Sequence, residues 1–273
     1  MKLWRTVAAS SGAAAASAVA WGHFEAGWVR LRSLEIALPR LPGALEGLRI
    51  AHLSDFHFGL PSRGIRAVER AVEWVGERRP DLVLITGDLV SRPRGEAPLR
   101  RVLDRLGPSF AVLGNHDVEH SRDPFSRAVE LTELEPAQLL VDESATVEVR
   151  GVRVQIVGVD PRAYRQRRSV PWRFVDESAQ LRILLCHFPY VFDMLPPGAF
   201  DLVLAGHMHD GQISLPLGRT RRFRFAHPNV RYATGVYTGR AGTMHVSPGL
   251  GTTFVPFRFF ARPEATELIL RRG

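Results

Sequence analysis

Five apolar runs in this 273-residue chain end in residues able to bind metal ions. The clusters are Asp55-Phe56-His57, Gly87-Asp88, Gly114-Asn115-His116-Asp117, Cys186-His187 and Gly206-His207-Met208-His209. Imidazole and carboxylate with one amide oxygen suit Mn, Fe, Zn or Ni better than Ca or Mg, which prefer all-oxygen shells. Cys186 is the only cysteine, so thiolate clusters and internal disulfides are excluded. After Leu184-Leu185 it reads as a small buried apolar side chain. Two divalent ions would bring four positive charges, of which Asp55 and Asp88 cancel two, while neutral His57, Asn115, His187, His207 and His209 cancel none. A bridging hydroxide formed at neutral pH removes one more, and the remaining charge still attracts a phosphate anion.

These donors need a scaffold that brings five distant segments together. Each cluster follows a run that reads as a buried strand, over residues 48–53, 82–85, 110–113, 181–185 and 200–205. In open α/β sheets ligands bind beyond the carboxyl ends of the strands, so five such ends imply one shared crevice. Read as extended backbone, Asp55 with His57, and His207 with His209, would each point two donors the same way. Ile65, Val68, Val72 and Val75 predict a helix over 62–79, with Ser62 as cap and Pro80 as stop. Further helices are predicted over 98–106 and 124–134. Val147, Val149, Val152, Val154 and Ile156 alternate around Arg150-Gly151 as an antiparallel hairpin, and late strands follow over 243–246 and 265–270. The economical architecture is α/β, with two sheets packed face to face and helices outside.

The ordered blocks D-x-H, G-D, G-N-H-D, H and G-H-x-H between Asp55 and His209 resemble the calcineurin-like metallophosphoesterases. That resemblance implies a four-layer α/β/β/α sandwich of two mixed sheets and a dinuclear hydrolase of phosphodiester or pyrophosphate bonds. It implies that Asp55, His57 and His209 hold one metal ion, that Asn115, His187 and His207 hold the other, and that Asp88 bridges them. His116 would be the leaving-group acid and Asp117 would orient its ring. Residues 41–59, Gly211-Gln212 and the stretch from Ser247 to Gly251 are similar to a bacterial subgroup with an amino-terminal signal or anchor, likened to UDP-diacylglucosamine pyrophosphatases of lipid A synthesis. The subgroup usually has glycine after the last ligand, where this chain has Asp210. Asp210 is expected to face solvent, the alternative being a pair with an arginine of the 219–224 cluster.

The domain is expected to span residues 45–273, preceded by a signal or anchor segment over 1–33. Lys2 and Arg5 head an uncharged Ala-rich stretch over 7–21, with small-residue cleavage sites at Ala16-Ser17-Ala18 or Ala18-Val19-Ala20. About 15 weakly apolar residues fall short of the roughly 20 a bilayer span needs, while Trp21, Phe24 and Trp28 suit a membrane–water interface. The net charge of +8 is almost all arginine, Lys2 being the only lysine. Arg162, Arg165, Arg167, Arg168 and Arg173 form one cluster, and Arg219, Arg221, Arg222, Arg224 and Arg231 another. They would suit a polyanionic substrate or an acidic membrane face, or simply a solvated surface. The partners expected are therefore a phosphate-ester substrate, lipid-linked in the leading reading, and a membrane surface, with no specific nucleic acid. A soluble nucleotide phosphodiesterase or nuclease, and more remotely an inactive protein-binding scaffold, are the rivals. His23, His52, His120, His227 and His245 belong to no ligand block, His52 being nearest to one, and Asp160 and Asp193 are assigned to turns or caps.

Overall fold

The structure, a computed structural model, describes residues 2–118, 121–127, 129–166, 168–218 and 221–273. His120, Arg167 and Arg219, singled out in the sequence, lie outside these residues. Two six-stranded mixed sheets face each other. The first contains β1 (Arg30–Leu38), β2 (Arg49–Leu53), β3 (Leu82–Thr86), β4 (Ser109–Val112), β5 (Ala137–Leu139) and β14 (Glu264–Arg272), in the order β1-β14-β2-β3-β4-β5. The second contains β6 (Glu143–Val149), β7 (Val152–Gly158), β8 (Leu181–Leu185), β9 (Leu202–Ala205), β12 (Gly235–Gly239) and β13 (Gly242–Val246), in the order β12-β13-β9-β8-β7-β6. A separate hairpin joins β10 (Ser214–Leu217) to β11 (Arg221–Arg224). Every strand predicted to carry a ligand block is present, and each of the five is parallel to a neighbour among them.

Strand alternation divides the apolar side chains between two cores. Ile50, Leu84 and Leu268 face inward and meet Val154, Ile183, Leu202 and Leu204 of the other sheet. Ala51, Leu53, Val83 and Ile85 face outward beneath α2 (Gly64–Arg78) and α3 (Glu96–Leu106). In α2, Ala67, Val68, Ala71, Val72 and Val75 form the buried stripe, and the Ser62 hydroxyl accepts from the Gly64 N–H at its start. Each fully buried valine, leucine or isoleucine among them contributes roughly 1.5–3 kcal/mol.

The fourth layer is thinner than the first. The second sheet is covered by the short α4 (Pro161–Arg165), by helical turns at Pro171–Phe174 and Pro189–Met194, and by Tyr164, Phe188, Phe192 and Tyr232. No helix forms over the described residues of 124–134. Asp123 binds the Phe125 N–H and the Arg127 N–H donates to Ser91, so local side-chain and distant backbone acceptors replace the helical ones.

The folded unit also starts earlier than residue 45. β1 runs parallel to β14 along its whole length, and the helix before it, α1 (Lys2–Glu25), is tied in at its end. There the Arg258 N–H donates to Gly22 and the Ala261 N–H to Glu25 Oε1. Residues 10–20 of α1 are exposed. Among the described residues no helix is long and apolar enough to cross a membrane.

Candidate metal centre

The clusters occupy the turns directly after β2, β3, β4, β8 and β9 and meet at one end of the sandwich. Their backbone is not extended. Asp55, His57, Asp88, His207 and His209 all have positive φ, between 49° and 74°. Left-handed conformations cost non-glycine residues energy, and their concentration at one place marks a functional site. The side chains are thus aimed by tight turns, and His207 and His209 face different neighbours rather than one side. Glycines in the blocks permit close approach. A Cβ at Gly114 would lie 2.1 Å from Asp88 Oδ1, and one at Gly206 would lie 2.0 Å from Ser54 Oγ.

Two sets of donors converge, each within 4.8 Å: Asp55, His57, Asp88 and His209, and Asp88, His187 and His207. Asp88 belongs to both. His57 Nε2 lies 3.0 Å from His209 Nε2, and His209 Nε2 lies 3.3 Å from Asp55 Oδ1. In the second set His187 Nε2 lies 3.2 Å from Asp88 Oδ2, 3.1 Å from His207 Nδ1 and 3.2 Å from Asn115 Oδ1. The donor chemistry fits a pair of divalent ions. His187 Nδ1 faces the Thr86 carbonyl at 2.9 Å, which only accepts, so a proton sits there; burial disfavours a second one, but Asp88 beside Nε2 raises the His187 pKa to about 9, and a cation at Nε2 would stand in for that second proton. Burial lowers the pKa of His57, His207 and His209, keeping them in the neutral form that ligates. Arg258, fully buried, places its guanidinium 3.0 Å from His209 Nδ1. Burial, reinforced by the charge of Asp88, raises the Asp55 carboxyl to about 7. Burial acts against the Asp88 carboxylate too, yet His187, His116 and His57 hold it well below the usual carboxylate range.

Residues 48–211 match the family described as calcineurin-like phosphoesterase. The chain belongs to this family. It is a metal-dependent phosphoesterase, and the two donor sets are where metal ions could be held. A "transmembrane protein with metallophosphoesterase domain" of Danio rerio is 34% identical over 260 residues, covering 88% of this chain and 57% of its own. The UDP-2,3-diacylglucosamine pyrophosphatase LpxG of Chlamydia trachomatis is 29% identical, covering 74% of this chain and 76% of its own. The phosphodiesterase YaeI of Escherichia coli is 26% identical, covering 97% and 95%. Both the superfamily and the bacterial subgroup read from the motifs are supported.

In this phosphoesterase His116 stands beside the donor sets, its Nε2 4.0 Å from Asp88 Oδ2 and its ring edge-on to His57. Its ring is held by serines that the sequence did not single out, Ser126 at 2.7 Å from Nδ1 and Ser121 at 2.9 Å from Nε2. Burial lowers the His116 pKa, opposed by Asp88 and Asp123. Asp117 does something other than orient that ring. Its carboxylate accepts from the backbone N–H groups of Leu89, Val90 and Gly114, at 3.2, 2.9 and 2.8 Å, and so fixes the two loops that carry Asp88 and Asn115.

A cavity of about 600 Å³ opens from Asp88, Asn115, His116, His207 and His209. Tyr164, Phe188, Phe225 and Phe254 give it apolar walls, and Arg122, Arg165 and His227 add polar groups. Asp210, expected in solvent, is buried and paired with Arg224 at 2.9 Å and Arg222 at 3.3 Å. Other cluster arginines are also engaged: Arg162 with Asp160, and Arg231 with Asp193. Asp160 caps α4 as expected, and Cys186 is buried, with its thiol pKa raised by desolvation.

Proposed function

We propose that Asp55, His57 and His209 hold one divalent ion, that Asn115, His187 and His207 hold a second, and that Asp88 bridges them. The carrying observation is that one buried carboxylate belongs to two donor sets at once. Such a pair supplies a hydroxide nucleophile and neutralises phosphate charge. His116 Nε2, beside the bridge yet outside both sets, delivers the proton to the leaving oxygen. The substrate is a phosphodiester or pyrophosphate linked to a lipid, as the activity named for the LpxG relative suggests.

Exposed apolar side chains support the lipid-linked reading. Leu215, Leu217, Phe223 and Phe225 of the β10–β11 hairpin and Phe254 and Phe260 of the following loop stand in solvent. Trp21, Phe24 and Trp28 form an aromatic cluster on the same side, since Phe259 packs at Gly22 and bridges to Ile213. Exposed apolar side chains on these segments fit a bilayer surface, with the helical part of the 1–33 segment as anchor.

The test is metal content of the purified protein, together with turnover of a lipid pyrophosphate, a nucleotide phosphodiester and a phosphomonoester. Two bound ions and a preference for the lipid pyrophosphate in vesicles support the proposal. Preference for the nucleotide diester, with full-length protein in the soluble fraction at low salt, moves the assignment to a soluble nucleotide phosphodiesterase.

A further inference from the structure

Between the sheets, just behind the metal centre, five fully buried side chains form one unbroken line of hydrogen bonds: His245 of β13, His52 of β2, Thr86 of β3, Ser54 and Asp55. The direction of every proton in it follows from its last member. With a cation bound the Asp55 carboxylate would be ionised and only accept, so the Ser54 hydroxyl would donate to its Oδ2 in preference to the Thr86 carbonyl 3.1 Å away. Ser54 Oγ then receives the Thr86 hydroxyl, 2.8 Å away. Thr86 Oγ1 in turn receives the proton of His52 Nε2, 2.9 Å away. Burial keeps both histidines neutral, and a neutral ring carries one proton. His52 Nδ1 is therefore an acceptor, and the Nδ1 of His245, 2.8 Å away, is its donor. His245 has then spent its proton, and its Nε2 is the one ring atom of the line without a hydrogen-bond partner among the described residues.

We propose that His245, His52, Thr86 and Ser54 are positioning residues for Asp55, a one-way chain of donors that holds its carboxylate aimed into the cleft. Aligned donors polarise one another, so the outer links strengthen the last one. The His207 backbone N–H, 3.1 Å from Oδ1, secures the same carboxylate from the second sheet. The two sheets thus share control of one ligand. Neither His52 nor His245 touches the metal donors, and neither is explained by apolar packing.

The proposal rests on the reading of Asp55 as a metal ligand, and its test separates the two. Full-length protein is stripped of metal and titrated with Co²⁺ by calorimetry, with the Co²⁺ absorption band followed in parallel. Thr86→Val keeps the side-chain shape and removes the hydroxyl. It should weaken one of the two Co²⁺ sites by roughly 10- to 100-fold, the usual effect of losing a hydrogen-bond partner of a ligand, and leave the other unchanged. Thr86→Ser should restore the wild-type affinity. His52→Phe should weaken the same site less, and adding it to Thr86→Val should cost nothing further, because the chain is already broken. Ser54→Ala removes the last donor without adding atoms and serves if the valine variant does not fold. Unchanged Co²⁺ affinity in both Thr86→Val and Ser54→Ala, or serine weakening as much as valine, overturns the network. If His57→Ala also leaves both Co²⁺ sites intact, the metal reading itself fails; if it abolishes one, only the network does.

Discussion

At the amino-terminal ends of β3 and β9, Asp81 and Asp201 hold equivalent places in the two sheets. Each exchanges hydrogen bonds with the start of the neighbouring strand, Asp81 with the Arg49 backbone and Asp201 with the Arg182 backbone. Each is also paired with an arginine from elsewhere, Arg150 at 3.0 Å and Arg40 at 2.8 Å. At the carboxyl ends, no arginine forms an ion pair with Asp55 or Asp88 among the described residues, and imidazoles surround both carboxylates. Five candidate ligand positions at the carboxyl ends are left-handed, and at the amino-terminal ends Arg79 and Arg150 are. One end is charge-balanced by the chain itself and serves stability. The other is left for cations from outside and serves chemistry.

The largest test of this contrast is Asp88→Ala. Loss of the shared carboxylate should remove both metal ions and turnover, since it alone belongs to the two donor sets. Asp81→Asn should do the reverse, lowering stability by about 1 kcal/mol with metals and rate intact. Elemental analysis, turnover and thermal unfolding of both variants decide the matter. Two ions and full activity in Asp88→Ala would refute the centre as drawn. Next in size is His116→Gln, which should keep both metals and slow turnover roughly 10²- to 10⁴-fold. The loss should shrink for substrates with good leaving groups. An equal loss for nitrophenyl and alkyl esters would make His116 a substrate-positioning group.

The division also explains what could be read from the sequence. Strands ending in ligand blocks were legible because a buried strand is a short apolar run and each block interrupts it with donors. Helix α2 was legible through its 3.6-residue period. The cover of the second sheet was not, because stacked aromatics such as Tyr164 on Phe188 come from loops and have no period. Residues 124–134 failed for a related reason: side-chain hydrogen bonds of Asp123 outcompete local helix propensity. Within the site, the seven candidate ligands were found by type and spacing. Ser121, Ser126 and Arg258 reach it from segments with no pattern of their own, and the burial of Asp210 depends on a hairpin arginine twelve positions away.

Truncation gives a smaller effect that depends on where the cut falls. Removing residues 1–20 takes away the part of α1 that precedes the Gly22 contact, including the exposed residues 10–20, and should leave stability, metals and turnover of a soluble diester unchanged. A cut through residue 33 also deletes the start of β1 and the Gly22 and Glu25 contacts to Arg258 and Ala261. The two hydrogen bonds lost there, at roughly 1 kcal/mol each, should lower stability by at least about 2 kcal/mol, with the lost β1 pairing adding to it. Because Arg258 faces His209, metal affinity should fall with it. Chemical unfolding and metal titration of the two truncations distinguish anchor from scaffold, and equal behaviour of both would place β1 outside the cooperative unit.

A last test falls on Glu267, on β14. Its carboxylate is almost fully buried and accepts from Ser33 Oγ and Arg49 Nε, each at 2.8 Å, and from Arg78. Burial pushes its pKa up, but the hydrogen bonds from Arg78, Ser33 and Arg49 outweigh it and hold the folded value below the ordinary 4.5. A depressed carboxyl pKa contributes stability that is fully present above the unfolded value and is lost as pH falls through the folded one. Wild type should therefore lose this contribution only below about pH 4.5. Glu267→Gln keeps the shape without the charge and should be less stable by about 1–3 kcal/mol at neutral pH. Urea unfolding at neutral pH and in steps into acid should show that gap closing as Glu267 protonates, with metal content and turnover at neutral pH unchanged. A gap that stays constant into acid would show that packing, not the ion pairs with Arg49 and Arg78, sets the difference, and would remove Glu267 from the charge-balanced half of the comparison.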